Sequence, residues 1–223
     1  MQSNSIESLE NTVNSIIGRN LDFLREYAEI RSECFKETLF TFSMIRLKAS
    51  FEAAILLMRN GYFIELSSVS RLIFEQLSWG CYLFSENEIQ TQSDLNKLKS
   101  PQATVSYLKT ALNMNSLGQV YGLLSTETHL SVNSIIRYLD LRAGNGRVDI
   151  LFQSEEMDRG DVSLLLLLVG AYVEVTSKGI KHFGINNKTS EDDFRKRYDE
   201  WHKGVVIQLS ELMFSNDPLI ANQ

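Results

Sequence analysis

Arg71 and Glu75 stand four residues apart in the largely apolar run SVSRLIFEQLSW, residues 68–79. Positions four apart share one face of an α-helix, so the guanidinium and the carboxylate can pair. The surrounding helix carries few other charges, which indicates that it is largely buried, and buried charges must be paired. Two interpretations stay open: the pair links this helix to its neighbours, or it lines a binding site.

A second polar set lies in the run YGLLSTETH, where Tyr121, Ser125 and His129 follow one another at intervals of four. If one helix persists through these positions, all three side chains face the same way. A single histidine is usually a structural hydrogen-bonding group, although it can also transfer protons in catalysis. A G-x-S-x-G turn that would present Ser125 as a nucleophile is absent, so a hydrolase triad is not expected.

A third candidate is Arg197 followed five residues later by His202, in the run RYDEWH. Metal-independent RNA cleavage needs an imidazole to move protons and a cation to stabilise the crowded phosphate. Positions five apart diverge by about 140° on a straight helix, so the two side chains meet only at a helix edge or across a dimer. The alternative is a solvated charged turn.

The elements that would position these residues are predicted to be mainly helices. Only two of the 223 residues are proline and 43% are hydrophobic, which favours long helices around a full core. Gly61 is placed to end one helix, and Pro101 to begin another after Ser100 as N-cap. Apolar spacings of three and four predict helices over residues 5–32, 36–59, 62–84 and 161–183. Gly18 is a candidate break in the first of these helices. A last helix is predicted to be capped by Thr189 or Ser190.

One segment changes its period, and it defines the domain organisation that we expect. Residues 136–153 contain two short alternating runs around the turn AGNG, which predicts a β-hairpin, the alternative being a loop. We therefore predict an all-α fold in one domain of six or seven helices, with this small hairpin inserted. The domain comprises an N-terminal helical region at 1–34, a core at 36–135 and 158–214, and the hairpin.

Composition restricts the function classes. Cys34 and Cys81 lack metal-ligand spacing, and the sequence has no nucleotide-binding fingerprint, so no metal or cofactor is expected. The N-terminus lacks the pattern of a secretion signal, and the apolar run at 162–173 has about half of the roughly 20 residues that span a membrane. We expect a cytoplasmic protein without membrane contact. The net charge of −6 argues against a broad nucleic-acid surface.

The run at residues 47–79, followed about forty residues later by YGLLSTETH, resembles a family of uncharacterised bacterial helical proteins with R-x3-E and Y-x3-S-x3-H motifs. The similarity covers about residues 45–140. The residues that match these motifs are Arg71, Glu75, Tyr121, Ser125 and His129.

Such proteins resemble HEPN-type helical domains, which are nucleases or their inactive relatives in toxin–antitoxin and phage-defence loci. That group carries an R-x4-6-H motif, which Arg197 and His202 fit. Tyr198 departs from the pattern, because the group often has a small polar residue after its arginine. The resemblance implies an all-helical HEPN-like fold and, for an active member, a dimeric ribonuclease.

Three functions follow from these patterns. The first is a non-enzymatic HEPN-like module that binds a protein partner, or a second copy of itself, in a bacterial defence or toxin–antitoxin system. The alternative is a metal-independent ribonuclease or toxin, with RNA as its partner, His202 as general acid and base, and Arg197 as phosphate clamp. The third is a small-ligand pocket formed by Arg71, Glu75, Tyr121, Ser125 and His129. The acidic charge balance favours the first.

Overall fold

The computed structural model describes residues 2–30, 35–85, 91–128, 139–140, 149–150, 159–183 and 188–214. These residues form an all-α structure, as the sequence predicts. Two 3₁₀ helices, Gln92–Lys97 and Pro101–Thr104, lie between the third and fourth helices. Within the described residues the α-helices are α1 (Gln2–Ile30), α2 (Phe35–Arg59), α3 (Phe63–Ser85), α4 (Val105–Leu112), α5 (Leu117–Glu127), α6 (Arg159–Phe183) and α7 (Lys188–Phe214).

Two short strands lie inside the interval that the sequence predicts to be a hairpin. β1 (Leu139–Asp140) pairs antiparallel with β2 (Asp149–Ile150), and Leu139 stands opposite Ile150. The other residues of the interval 136–153 lie outside the described residues. The hairpin as a whole therefore stays a prediction.

Two predicted helix boundaries need correction, at Gly18 and at the start of the last helix. α1 continues through Gly18, because the residues around it bury a continuous apolar stripe that outweighs the low helix propensity of one glycine. The predicted start after Ser100 is confirmed, with Pro101 in the first turn; this turn is a 3₁₀ helix that continues into α4 at Val105. α7 begins at Lys188, ahead of both predicted caps.

The turn between α2 and α3 forms as predicted. Gly61 adopts a left-handed conformation with φ of 72°, which a residue with a side chain adopts only with strain. Its backbone N–H donates to the carbonyl of Met58, and the N–H of Tyr62 donates to that of Leu57. These bonds satisfy the last carbonyls of α2 and turn the chain into α3.

α3 lies at the centre of the bundle and packs against α2, α4, α5 and α6. Its apolar side chains therefore point in several directions, and Leu66, Ile73, Phe74 and Leu77 are all buried. α3 also carries the first polar pair that the sequence singles out. A polar side chain that is buried on this helix loses its contact with water, and a partner inside the protein offsets that loss.

α6 is the second buried helix. Residues Gly160–Phe183 are long and apolar enough to cross a membrane by length and composition, but 61% of the apolar window is buried inside the protein. The Tyr172 hydroxyl donates a hydrogen bond to the carbonyl of Met44 on α2. The helix packs against α1, α2, α3 and α7, as expected for a core helix.

A separate aromatic cluster joins α7 to α1 and α6. It contains Phe23, Tyr27, Phe194 and Tyr198, all buried. Within it, the Tyr198 hydroxyl lies 3.0 Å from both Oδ1 of Asn20 and the carbonyl of Val173. This cluster fixes the charged first half of α7, which carries Arg197 and His202, against the bundle.

Candidate functional site

The predicted pair on α3 forms. Nε of Arg71 donates to Oε1 of Glu75 at 3.0 Å. The Glu75 side chain is 6% exposed and that of Arg71 is 26% exposed, so the carboxylate is buried while the guanidinium keeps some access to water. The hydrogen bond to Glu75 raises the pKa of Arg71 above its ordinary value, against the effect of its partial burial.

Tyr121 on α5 completes this pair. Its hydroxyl donates to Oε1 of Glu75 at 2.8 Å, and its ring lies 5.5 Å from the Arg71 guanidinium. Phe74 packs against the same ring, with centroids 5.4 Å apart. Burial, and then the bond to Glu75, raises the pKa of Tyr121, so the phenol keeps its proton and remains a donor. One buried carboxylate oxygen thus receives two donors from two helices.

The polar contacts continue to the end of α5. Ser67 donates to Oε2 of Glu127 at 2.7 Å, and Nη1 of Arg71 lies 3.4 Å from the Thr128 hydroxyl. Glu127 and Thr128 were not identified from the sequence, although both stand in the STETH run beside the predicted motif. Their side chains serve the α3–α5 contact that Glu75 and Tyr121 begin. We use the name α3–α5 polar link for the set Ser67, Arg71, Glu75, Tyr121, Glu127 and Thr128.

The rest of the predicted Tyr–Ser–His set is only partly described. Ser125 contributes its backbone carbonyl, which accepts a bond from Thr128 at 2.9 Å. α5 ends at Glu127, before the third position of the set. His129 lies outside the described residues, so its place in the polar link stays a prediction.

Chemically, the polar link resembles a structural joint more than an open site. Glu75 already accepts bonds from Arg71 and Tyr121, so the charged surface of the link is limited to the exposed parts of Arg71 and Glu127. A buried carboxylate that is satisfied in this way binds helices together and has little capacity left for a ligand.

Arg197 is held by two carboxylates. Its Nη1 donates to Oε2 of Glu26 on α1 at 3.0 Å, and its Nη2 contacts the other oxygen of the same carboxylate. Its Nε donates to Asp193, one turn earlier on α7, at 3.0 Å. These bonds, the one to Glu26 first, raise the pKa of Arg197. The planar guanidinium of Arg197 therefore forms a bidentate ion pair with Glu26 on α1.

His202 contacts a different helix. Its Nε2 lies 2.8 Å from Oε2 of Glu174 on α6, and its side chain is 21% exposed. Lys178 approaches the other oxygen of Glu174 at 3.4 Å. The hydrogen bond from His202 lowers the pKa of Glu174 to about 2, against the opposing effect of burial.

Arg197 and His202 are consequently directed to different neighbours, one to α1 and the other to α6. Among the described residues no contact joins the two, and the Tyr198 ring lies against His202, with centroids 6.4 Å apart. Tyr198, which departs from the HEPN pattern, is a buried core residue. Within one chain, the described contacts of the two side chains therefore lead to separate helices.

Metal and thiol chemistry find no support in the described part of the chain. No group of three or more His, Cys, Asp or Glu residues there could hold a metal ion. Cys81 is buried, and burial raises the pKa of its thiol well above the ordinary value, which makes it unreactive. Cys34 lies outside the described residues.

Comparison of the chain with family models, with curated proteins and with solved structures gives no match. We therefore assign the structural class of the protein from its own fold and contacts. It is an all-α bundle in which a buried polar link joins α3 to α5 and paired charges fasten α7 to its neighbours.

Proposed function

We propose that this chain is a non-enzymatic, HEPN-like helical module that binds a protein partner. The observation that carries the proposal is the separate engagement of Arg197 and His202 by carboxylates of two different helices. A phosphate clamp must present its guanidinium to an anion, whereas Arg197 holds Glu26 and Asp193. RNA would have to displace two carboxylates to bind there.

The same geometry occupies one of the two ring nitrogens of His202. A general base needs a free ring nitrogen within reach of the substrate proton. Nε2 is bonded to Glu174, which leaves Nδ1 as the ring nitrogen that could take up a proton. The alternative function, a metal-independent ribonuclease, requires Arg197 to leave its two carboxylates and a substrate to reach Nδ1 of His202.

Partner binding is supported by apolar side chains left in contact with water. Eight large hydrophobic residues in the described part of the chain are more than a third exposed, three of them on α7. Their side chains would lose water on binding a complementary surface, which stabilises a complex. The HEPN-like arrangement, the complete hairpin at 136–153 and a bacterial defence or toxin–antitoxin setting are parts of this proposal that rest on the sequence patterns.

An RNA-cleavage assay tests the non-enzymatic part. Purified wild-type protein, His202→Ala and the matched control His182→Ala, an exposed histidine on α6, are incubated with single-stranded RNA in the presence of a chelator. We expect no cleavage by any of the three proteins. Cleavage by wild type and His182→Ala that is lost in His202→Ala would establish the ribonuclease and overturn the proposal.

A co-expression experiment tests the partner. The chain is produced together with the product of each adjacent gene, and the mass of each purified complex is measured by light scattering. A stable complex of defined stoichiometry, or a defined homodimer, is the expected result. If the chain stays a monomer with every neighbour and alone, the partner-binding proposal is wrong.

A further inference from the structure

The two neighbouring helices α2 and α3 expose apolar side chains. Phe42 and Leu56 on α2 are 64% and 59% exposed, and Leu72 on α3 is 44% exposed. Ala49, which is also exposed, lies midway between Phe42 and Leu56 in sequence. Positions seven residues apart differ by only about 20° around a helix, so these three residues of α2 form one stripe. We call the stripe, together with Leu72, the α2–α3 outer surface.

The exposed residues of α2 and α3 face the same side of the bundle. Phe51 follows Phe42 by nine residues and Cys81 follows Leu72 by nine, which places the members of each pair about 180° apart on their helix. Both Phe51 and Cys81 are buried, and the ring of Phe51 lies 5.4 Å from that of Tyr172 on α6. α6 packs against α3 as well. Because α6 covers the inner sides of both helices, their exposed sides form one continuous surface.

The spacing within the α2–α3 outer surface matches that of a helix contact. Apolar positions that recur every seven residues are the pattern by which one α-helix packs along another. Phe42 and Leu56 are fourteen residues apart, which is about 21 Å of helix. Between them α2 carries the small residues Ala49, Ser50 and Ala53, whose short side chains let another backbone approach. The surface therefore fits the side of a helix of similar length.

Two charged residues of opposite sign lie near the two ends of the surface. Arg46 stands one turn from Phe42, whereas Glu65 is in the first turn of α3, next to the end of α2 that carries Leu56. Both side chains are exposed, and neither forms an ion pair with another described residue. The other two charged residues between positions 42 and 58 of α2 pair with each other. The surface thus presents one positive and one negative charge to a partner.

We infer that the α2–α3 outer surface binds an amphipathic α-helix of a partner protein. The apolar face of that helix covers Ala49 and Ala53 and removes the exposed leucines and phenylalanine from water, which stabilises the complex. An acidic side chain of the partner helix lies against Arg46 and a basic one against Glu65. These two ion pairs fix the direction in which the helix lies along α2.

The inference rests on the proposed function, because it specifies the chemistry of the protein partner. One helix of about 21 Å covers less than the ~800 Å² per partner of a standard interface. The complex is therefore a reversible one, with apolar side chains at its centre and charges at its rim.

Fluorescence anisotropy with a synthetic helix tests the apolar contact. The probe is a labelled peptide of about 18 residues, ~27 Å long as a helix, with leucine along one face, glutamate near one end and lysine near the other. Wild type should bind it saturably, and Leu56→Glu should raise the dissociation constant about 10-fold or more. Ile207→Glu is the matched control, because Ile207 on α7 is 60% exposed and lies outside the surface. Circular dichroism verifies that each variant is folded.

Charge exchange tests the two ion pairs. One further peptide has glutamate near both ends, and another has lysine near both ends. Glu65→Lys should bind the acidic peptide more tightly than wild type does, and Arg46→Glu should bind the basic peptide more tightly, because every end then meets an opposite charge. Lys109→Glu, at an exposed site on α4, makes the same change in net charge as Arg46→Glu and should leave the affinity for the basic peptide unchanged.

Three results would overturn the inference: no saturable binding of the first peptide by wild type, equal affinities of wild type and Leu56→Glu, or charge variants that keep the wild-type preference. A wild-type dimer that Leu56→Glu dissociates, without peptide binding, would assign the surface to a second copy instead. A co-expressed complex that survives Leu56→Glu would retain the proposed function but place its contact elsewhere. Conversely, RNA cleavage that depends on His202 would overturn the non-enzymatic function without bearing on this surface.

Discussion

The hydroxyl of Tyr121 and the guanidinium of Arg71 donate to the same oxygen of Glu75, at 2.8 and 3.0 Å. Arg71 belongs to α3 like Glu75, whereas Tyr121 comes from α5, 46 residues away in sequence. This buried oxygen therefore accepts a hydrogen bond that forms only when α5 is packed on α3. The stability of the bundle should depend on this oxygen more than on any exposed ion pair.

Replacing Glu75 by alanine should lower the free energy of unfolding by about 3 kcal/mol, because it leaves the Arg71 charge partly buried without its partner. Replacing both Arg71 and Glu75 by leucine should cost less, since no unpaired charge remains. Urea unfolding followed by circular dichroism measures both. The control is Glu52→Ala, which breaks the exposed pair with Lys48 and should cost well under ~1 kcal/mol. Equal losses for Glu75→Ala and Glu52→Ala would contradict the prediction.

Tyr121→Phe should lower the free energy of unfolding by about 1.5–3 kcal/mol, the range for a hydrogen bond to a charged group. The ring contact with Phe74 is retained, so the loss reports the hydroxyl alone. A double-mutant cycle with Glu75→Gln measures the coupling between the two side chains. Additive losses would show that the hydroxyl and the carboxylate act independently, contrary to the geometry.

Acid should weaken the attachment of α7 to α6 through Glu174. The pKa of this carboxyl is lowered from 4.5 to about 2 by His202, so its ionised form stabilises the folded state above about pH 4.5. That contribution is lost as the pH falls towards 2. The unfolding midpoint in urea should fall faster for wild type than for Glu174→Gln across this interval. Parallel curves for the two proteins would show that Glu174 is not coupled to folding.

Two glycine-to-alanine substitutions should have opposite effects. A Cβ at Gly179 on α6 would clash with the ring of Phe40, which is buried and also packed against Phe84 and Phe183. Gly179→Ala should therefore destabilise the protein by about 1–3 kcal/mol, through overpacking. Gly18→Ala meets open space inside α1 and should stabilise it, by up to about 1 kcal/mol. Thermal unfolding of the two variants gives the comparison, and a stable Gly179→Ala would show that α6 can move away from α2.

The local features of this protein were predictable. The all-α class, the turn at Gly61 and the Arg71–Glu75 pair all depend on residues within a few positions of one another. Helical periodicity and the left-handed conformation of a glycine depend on neighbouring residues, so they can be predicted from a single sequence. The candidate break at Gly18 in α1 was wrong, because the buried apolar stripe on both sides of it outweighs the low helix propensity of one glycine.

The partners of the site residues were decided by the tertiary structure. The sequence by itself determined that Arg197 and His202 stand five positions apart near the start of a helix, and that Tyr121 lies on one too. Only the folded chain brings Glu26, 171 residues away, to Arg197, and Glu174, 28 residues away, to His202. Helix spacing determines which face a side chain occupies, but the element that covers this face depends on how the whole core packs.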